Sequence, residues 1–340
     1  MEPEMRIVDM HCDTISELMK HPEKSLADND LMVDLNKMRQ GGYLLQCFAM
    51  FVPYLSRQAD PDYSPFVYCH QMIDRFYLEM EKNKDLIKPV TSVSEILRNR
   101  KGGILSALLT IEEGGVCLGK PELLRNFYRL GVRMMTLTWN FRNELAFPNS
   151  DQTPGLSPEE DARVKDPHIP ETERGLTPTG RDFIREMNRL GMVIDCSHLG
   201  DAGFYDVISL SKKPIVCSHS CARALCSHVR NMTDDMLDAL KRNGGVVGMN
   251  FCTAFVTDED RLVTIRDLAD HMVYIKNRIG VEHLGFGSDF DGISNRKLEL
   301  KNAAMMPLLI AELRNRGFTP EDIEAVCYKN VLRVFQQNFG

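Results

Sequence analysis

The chain has 340 residues, 43% hydrophobic and 26% charged, with 23 glycines and 16 prolines, which excludes disordered, collagen-like and low-complexity classes. Its 41 Lys and Arg against 48 Asp and Glu leave a net charge of −7, so there is no basic surplus to neutralise a phosphate backbone and nucleic acid is not an expected partner. Ten cysteines without a CxxC pair or a compact disulfide-rich segment suit a reducing compartment.

At the start of the chain Glu2 and Glu4 stand where a secretory signal would carry basic residues, and no run of 18 apolar residues follows anywhere. The expectation is a cytoplasmic chain without a membrane partner. Eight short β-rich runs then recur, at 6–11, 44–51, 104–111, 132–138, 192–196, 214–218, 245–251 and 283–288. Most are continuously apolar, as strands buried on both faces of a parallel sheet are. Helical stripes separate them. Ile265, Leu268, Met272, Ile275 and Ile279 form one over 264–279, and Phe183, Ile184, Met187 and Leu190 form another over 178–190. Thr233 and Thr319 are placed to cap helices, and glycines such as Gly191 and Gly244 to end them. The eight β/α units predict a TIM-type (β/α)8 barrel made of one domain over 1–340, with an open doubly wound sheet as the alternative. The stretch 140–173, rich in Pro, Asp, Glu and Gly, reads as a long insertion after the fourth strand, with a short helix starting at Ser157.

The chemistry-bearing residues gather at strand ends. Asp9, His11 and Asp13 alternate at the end of the first predicted strand, and Glu112 and Glu113 end the third. His198 ends the fifth, His219 the sixth, and Asp289 and Asp291 the eighth. In a parallel barrel these ends meet at one mouth, where imidazoles and carboxylates make the ligand set of zinc or a similar divalent ion. The ligands exceed what one ion needs, so two are expected, with a carboxylate such as Glu113 between them. His271 and His283 read as surface or satisfied core residues. Gly114-Gly115 and Gly285-Phe286-Gly287 read as points of close backbone approach rather than phosphate loops. Arg223 and Arg230 are open between surface ion pairs and a fork for a substrate carboxylate.

Several of these segments together resemble the renal-type, or membrane, dipeptidase family of the amidohydrolase superfamily over nearly the whole chain. They are Val8-Asp9-Met10-His11-Cys12-Asp13, Glu113-Gly114-Gly115, Ile194-Asp195-Cys196-Ser197-His198, Ser218-His219-Ser220, Arg230-Asn231 and Gly285 to Gly292. The resemblance implies that His11 and Asp13 hold one zinc, His198 and His219 hold another, and Glu113 bridges both, selected over Glu112 only by its offset from the Gly-Gly pair. It further assigns Asp289 to proton transfer, Arg230 to the substrate's terminal carboxylate, and suggests a homodimer. One departure is evident. Where mammalian members carry a histidine facing the scissile carbonyl, this chain has Trp139 followed by Asn140, so carbonyl stabilisation falls to Trp139, Asn140 or the metal.

The expected function is therefore a two-zinc dipeptidase that hydrolyses dipeptides with free termini through a metal-bridged hydroxide. Its rivals are another metal-dependent hydrolase on the same scaffold, such as an amidase, lactonase or phosphoesterase, and a metal-binding protein without turnover.

Overall fold

The computed structural model describes residues 6–55 and 62–340, so the reading of Glu2 and Glu4 lies outside the described residues. The apolar runs form parallel strands: β1 (Ile7–Cys12), β2 (Tyr43–Phe51), β3 (Ile87–Val90), β4 (Leu105–Glu112), β5 (Met134–Thr136), β6 (Val193–Asp195), β7 (Val216–Ser220), β8 (Val246–Met249) and β9 (Leu284–Phe286). They pair in the order β2-β1-β9-β8-β7-β6-β5-β4, and a further parallel pairing of β2 with β4 closes the ring. The result is the expected (β/α)8 barrel, each of its eight strands overlapping one predicted run. β3 is additional and was not anticipated. It pairs with Leu105–Leu108 of β4, while β5 takes the same edge of β4 from Thr110 onward. Its sequence, Ile-Lys-Pro-Val, exposes the central Lys and Pro and so lacks the apolar run that marks the others.

The helices start and stop where their caps direct. Thr264 and Asp267 make a reciprocal capping box at the start of the helix Ile265–Ile279. Thr177 caps Pro178–Leu190, which ends at Gly191 in the left-handed conformation with φ 83°. The insertion carries the helix Pro158–Lys165, with Ser157 as its cap. It is tied down by a bridge between Pro148 and Leu199 and by the Asn149 amide, which donates to Val229 O at 2.9 Å. Among the described residues no helix is long and apolar enough to cross a membrane. All ten cysteines are free thiols.

The barrel is apolar at one end and polar at the other. Val8, Leu45, Met134, Val193, Val216 and Val246, near the strands' N-terminal ends, pack into one cluster with Val331 and Phe335 of the C-terminal helix Asn330–Phe339. That plug leaves the C-terminal ends of the strands, where the His and acidic residues lie, as the open mouth. The strands approach closely there. A Cβ added to Gly287, just after β9, would stand 1.6 Å from Ser218 O and 3.2 Å from His219 Cα. The β7 backbone that it would meet cannot yield, so Gly287→Ala should lower stability by about 1–3 kcal/mol or more. In urea denaturation this would read as a lower midpoint with an unchanged slope.

Candidate metal centre

Glu112 is the last residue of the β4 ladder, paired with Phe51 on one side and Thr136 on the other. Its carboxylate is buried at the centre of the mouth and its two oxygens face different neighbours. Oε1 lies 3.0 Å from His198 Nε2 and 3.5 Å from His219 Nε2. Oε2 lies 3.4 Å from His11 Nε2. His11 Nε2 in turn stands 3.4 Å from Asp13 Oδ2 and 3.9 Å from Asp289 Oδ1. Two groups of donors converge closely enough to share an ion, His11, Glu112 and His219, and His11, Asp13 and Asp289.

The electrostatics suit a cation. His11 Nε2 and Asp13 Oδ1 are buried without a hydrogen-bond partner, an arrangement that costs free energy unless another group completes it. Burial and then Arg230 lower the His198 pKa to about 4, and burial and then His11 take His219 well below the usual histidine range, so both imidazoles are neutral and have lone pairs for a metal. Burial also opposes charge on His11, but Glu112 and Asp13 outweigh it and raise its proton affinity well above normal. That negative potential would equally favour a divalent ion. Burial, countered by His11 and reinforced by Asp13 and Glu112, raises the Asp289 carboxyl to about 7.

A buried polar frame aims these ligands. His219 Nδ1 donates to Ser218 Oγ at 2.7 Å, and that hydroxyl donates to Asp195 Oδ2 at 2.5 Å. Asp195 also accepts from Thr136 Oγ1 and from the backbone N–H groups of Ser197 and Ser218, at 2.8, 3.0 and 2.9 Å. His198 Nδ1 donates to Asn140 Oδ1 at 2.8 Å, leaving Nε2 for the centre. Asp9 does not join its strand neighbours His11 and Asp13. The β1 register slips between Asp9 and Cys12, and the Asp9 carboxylate instead accepts from Ser288 N and Oγ at 2.9 and 2.6 Å, stapling β1 to the end of β9. Asp291 is likewise structural, accepting from Thr14 Oγ1 and Met32 N, each at 2.7 Å. His198 and Asp289 hold φ of 69° and 63°, left-handed values rare for non-glycine residues and concentrated here at the mouth.

Glu113, expected to bridge the ions, has different neighbours from Glu112. It lies one residue past the end of the ladder and adopts φ 109°, which turns its side chain away from the imidazoles. Its carboxylate accepts from Gly115 N at 2.6 Å, Asn143 Nδ2 at 2.5 Å and Trp139 N at 3.0 Å. A side chain on Gly115 would fall 2.6 Å from that carboxylate, in line with the close approach expected of the Gly-Gly pair. Sequence reasoning also missed Asp195. Its signal was an acid ending an otherwise apolar strand, two residues before the Ser197-His198 pair.

The remaining expected residues line a cleft of about 450 Å³ above the centre. Trp139 and Phe51 form one wall, their ring centroids 4.9 Å apart. Arg230 forms another. It is buried, with Nε unpartnered and its guanidinium 5.2 Å from the Phe255 ring centroid. Among the described residues no carboxylate lies within ion-pair distance of it, whereas Arg223 is locked to Asp201 at 2.7 Å. Asp289 faces the cleft and accepts from Asn250 Nδ2 at 3.0 Å. His271 and His283 are satisfied core residues, bonded to backbone carbonyls at 2.9 and 2.8 Å.

The sequence matches the membrane dipeptidase family (Peptidase family M19) over residues 1–339. It is 31% identical over 322 residues to dipeptidase tcpJ of Claviceps purpurea, covering 93% of this chain and 71% of that one. It is 36% identical over 316 residues to an uncharacterized dipeptidase of Schizosaccharomyces pombe, covering 89% and 71%. Among solved structures, that of dipeptidase AC, a metallopeptidase of family M19, aligns with a TM-score of 0.86 at 25% identity over 99% of this chain and 100% of its own.

The polar frame makes a prediction independent of any ion. Asp195→Asn replaces an acceptor-only carboxylate with a group that must present two donors to four donors already in place, so stability should fall by about 2–3 kcal/mol. Thermal or urea denaturation of the variant and the parent chain, both stripped by chelator, measures it.

Proposed function

We propose that this chain, which belongs to the membrane dipeptidase family and is a metal-dependent dipeptidase, uses Glu112 rather than Glu113 as the carboxylate shared between two divalent cations. The observation that carries this is the division of the Glu112 oxygens, one toward His198 and His219, the other toward His11. Asp13 completes the His11 side. Neutral imidazoles with carboxylates suit zinc. When bound, such ions supply Lewis-acid polarisation of the peptide carbonyl and an activated water.

The protein groups divide the rest of the reaction. Arg230, desolvated and without an ionic partner, receives the free carboxylate of the dipeptide through a charge-assisted fork. That anchor sets the substrate's direction and length, because a longer peptide has no carboxylate at this position. Asp289 accepts a proton from the attacking water and returns it to the leaving amine. Burial is suited to this part, since it brings the carboxyl toward neutral pH. Asn140, expected on the sequence to touch substrate, acts through its bond to His198 and so positions that imidazole.

Metal analysis of paired variants tests the assignment. Glu112→Gln should lose most of both ions after gel filtration, and Glu113→Gln should retain about two per chain. The reverse result would return the bridging role to Glu113. For Arg230, replacement by Ala should raise KM for free dipeptides by about 10- to 100-fold, the equivalent of roughly 1.5–3 kcal/mol. The same change should leave C-terminally amidated dipeptides nearly unaffected, and equal losses on both would make the arginine structural.

A further inference from the structure

The barrel is a ring of eight strands in which β2 and β7 are four places apart and therefore face each other across the mouth. Arg230 follows β7, and Phe51 is the last residue of β2. Trp139 follows β5, and its indole meets Phe51 in a T-shaped contact at 4.9 Å and Phe141 at 5.3 Å. Phe51 and Trp139 are only half-buried and both line the cleft, so they present a bare aromatic surface to whatever occupies it. The indole centroid is 6.0 Å from that of His198, which places this surface beside the catalytic centre. The wall is held rigidly from behind. The Trp139 N–H donates to the buried Glu113, which also takes Gly115 N and Asn143 Nδ2, so one carboxylate joins the turn after β4 to the loop that carries the indole.

If the terminal carboxylate lies at Arg230 and the scissile carbonyl over the centre, the first residue of the dipeptide extends toward the opposite side of the ring. We propose that Trp139 and Phe51 form the subsite for the first residue's side chain and that they select dipeptides beginning with an aromatic or large aliphatic residue. The inference rests on the Arg230 reading above. The indole thus serves as a wall rather than as a carbonyl-facing donor. Offset or edge-on ring packing, added to desolvation of a large side chain, favours such substrates over glycine at that position. Glu113 is a positioning residue in this account, acting through the Trp139 backbone.

The test compares kcat/KM for Phe-Gly, Gly-Gly and Phe-Gly amide in the metal-loaded parent chain and in Trp139→Ala, Trp139→Phe and Arg230→Ala. The parent should prefer Phe-Gly to Gly-Gly by at least about tenfold. Trp139→Ala should abolish most of that preference, mainly by raising KM for Phe-Gly relative to Gly-Gly, and Trp139→Phe should restore it. A parent without the preference, or a Trp139→Ala variant that loses kcat equally on Phe-Gly and Gly-Gly, would overturn the proposal. The second result would assign the indole to the carbonyl instead. Failure of the Arg230 reading is separable, because it appears as equal losses on Phe-Gly and its amide in Arg230→Ala, whatever happens at Trp139.

Discussion

A carboxylate buried at the centre of the barrel mouth, Glu112, imposes the arrangement of nearly everything around it. In a low-dielectric environment an ionised carboxylate is tolerated only with compensating positive charge or donors. Three imidazoles surround it, and chiefly His11 holds its proton affinity well below the normal range against the opposing effect of burial. Two of those imidazoles, His198 and His219, face each other through Nε2 at 3.0 Å, a pairing that calls for a proton or a cation between them. The carboxylate and its ring are thus suited to a cation by charge as well as by geometry. The family's dependence on metal follows from the same balance.

Such a site requires its ligands to be fixed before the ion arrives, and buried acids behind them do this. Asp195 collects four donors from β5, β6 and β7 and, through Ser218, sets which nitrogen of His219 faces the centre. Asp9 performs the corresponding task between β1 and β9. Strain accompanies the frame, with His198 and Asp289 both in the left-handed region and Gly287 pressed against the backbone of β7. Dense hydrogen bonding on either side is what keeps residues in conformations that would otherwise relax.

The barrel was legible because burial on both faces leaves an unmistakable mark, the uninterrupted apolar run. β3 left none, since its middle residues are solvent-exposed and it does not complete the ring. The positions of His11, Asp13, His198 and His219 were legible as strand ends for the same reason. Choosing between adjacent acids was not. Glu112 and Glu113 differ by one residue, and which of them faces inward depends on where the β4 ladder stops and on the φ of the first residue beyond it. A motif offset from Gly114-Gly115 carries no information about that angle. The Asp195 relay was hidden differently. Apart from Ser197, two residues on, its partners come from β5 and β7, so the register between strands brings them together.

The mouth is also asymmetric in a way that follows from the order of the strands. Loops after β7 and β8 supply a desolvated guanidinium laid against Phe255, and the β2 and β5 ends supply bare aromatic rings. Arg230 after β7 and Phe51 at the end of β2 stand across the ring from each other, whereas Trp139, after β5, stands two places from β7 and meets Phe51 ring to ring. On the proposed reading, a substrate that reaches both Arg230 and Phe51 is short, anionic at one end and places its reacting carbonyl between them, which are the features of a dipeptide. On that reading, the closed ring sets both the distance from Arg230 to Phe51 and the position of the chemistry between them, so substrate length follows from barrel geometry.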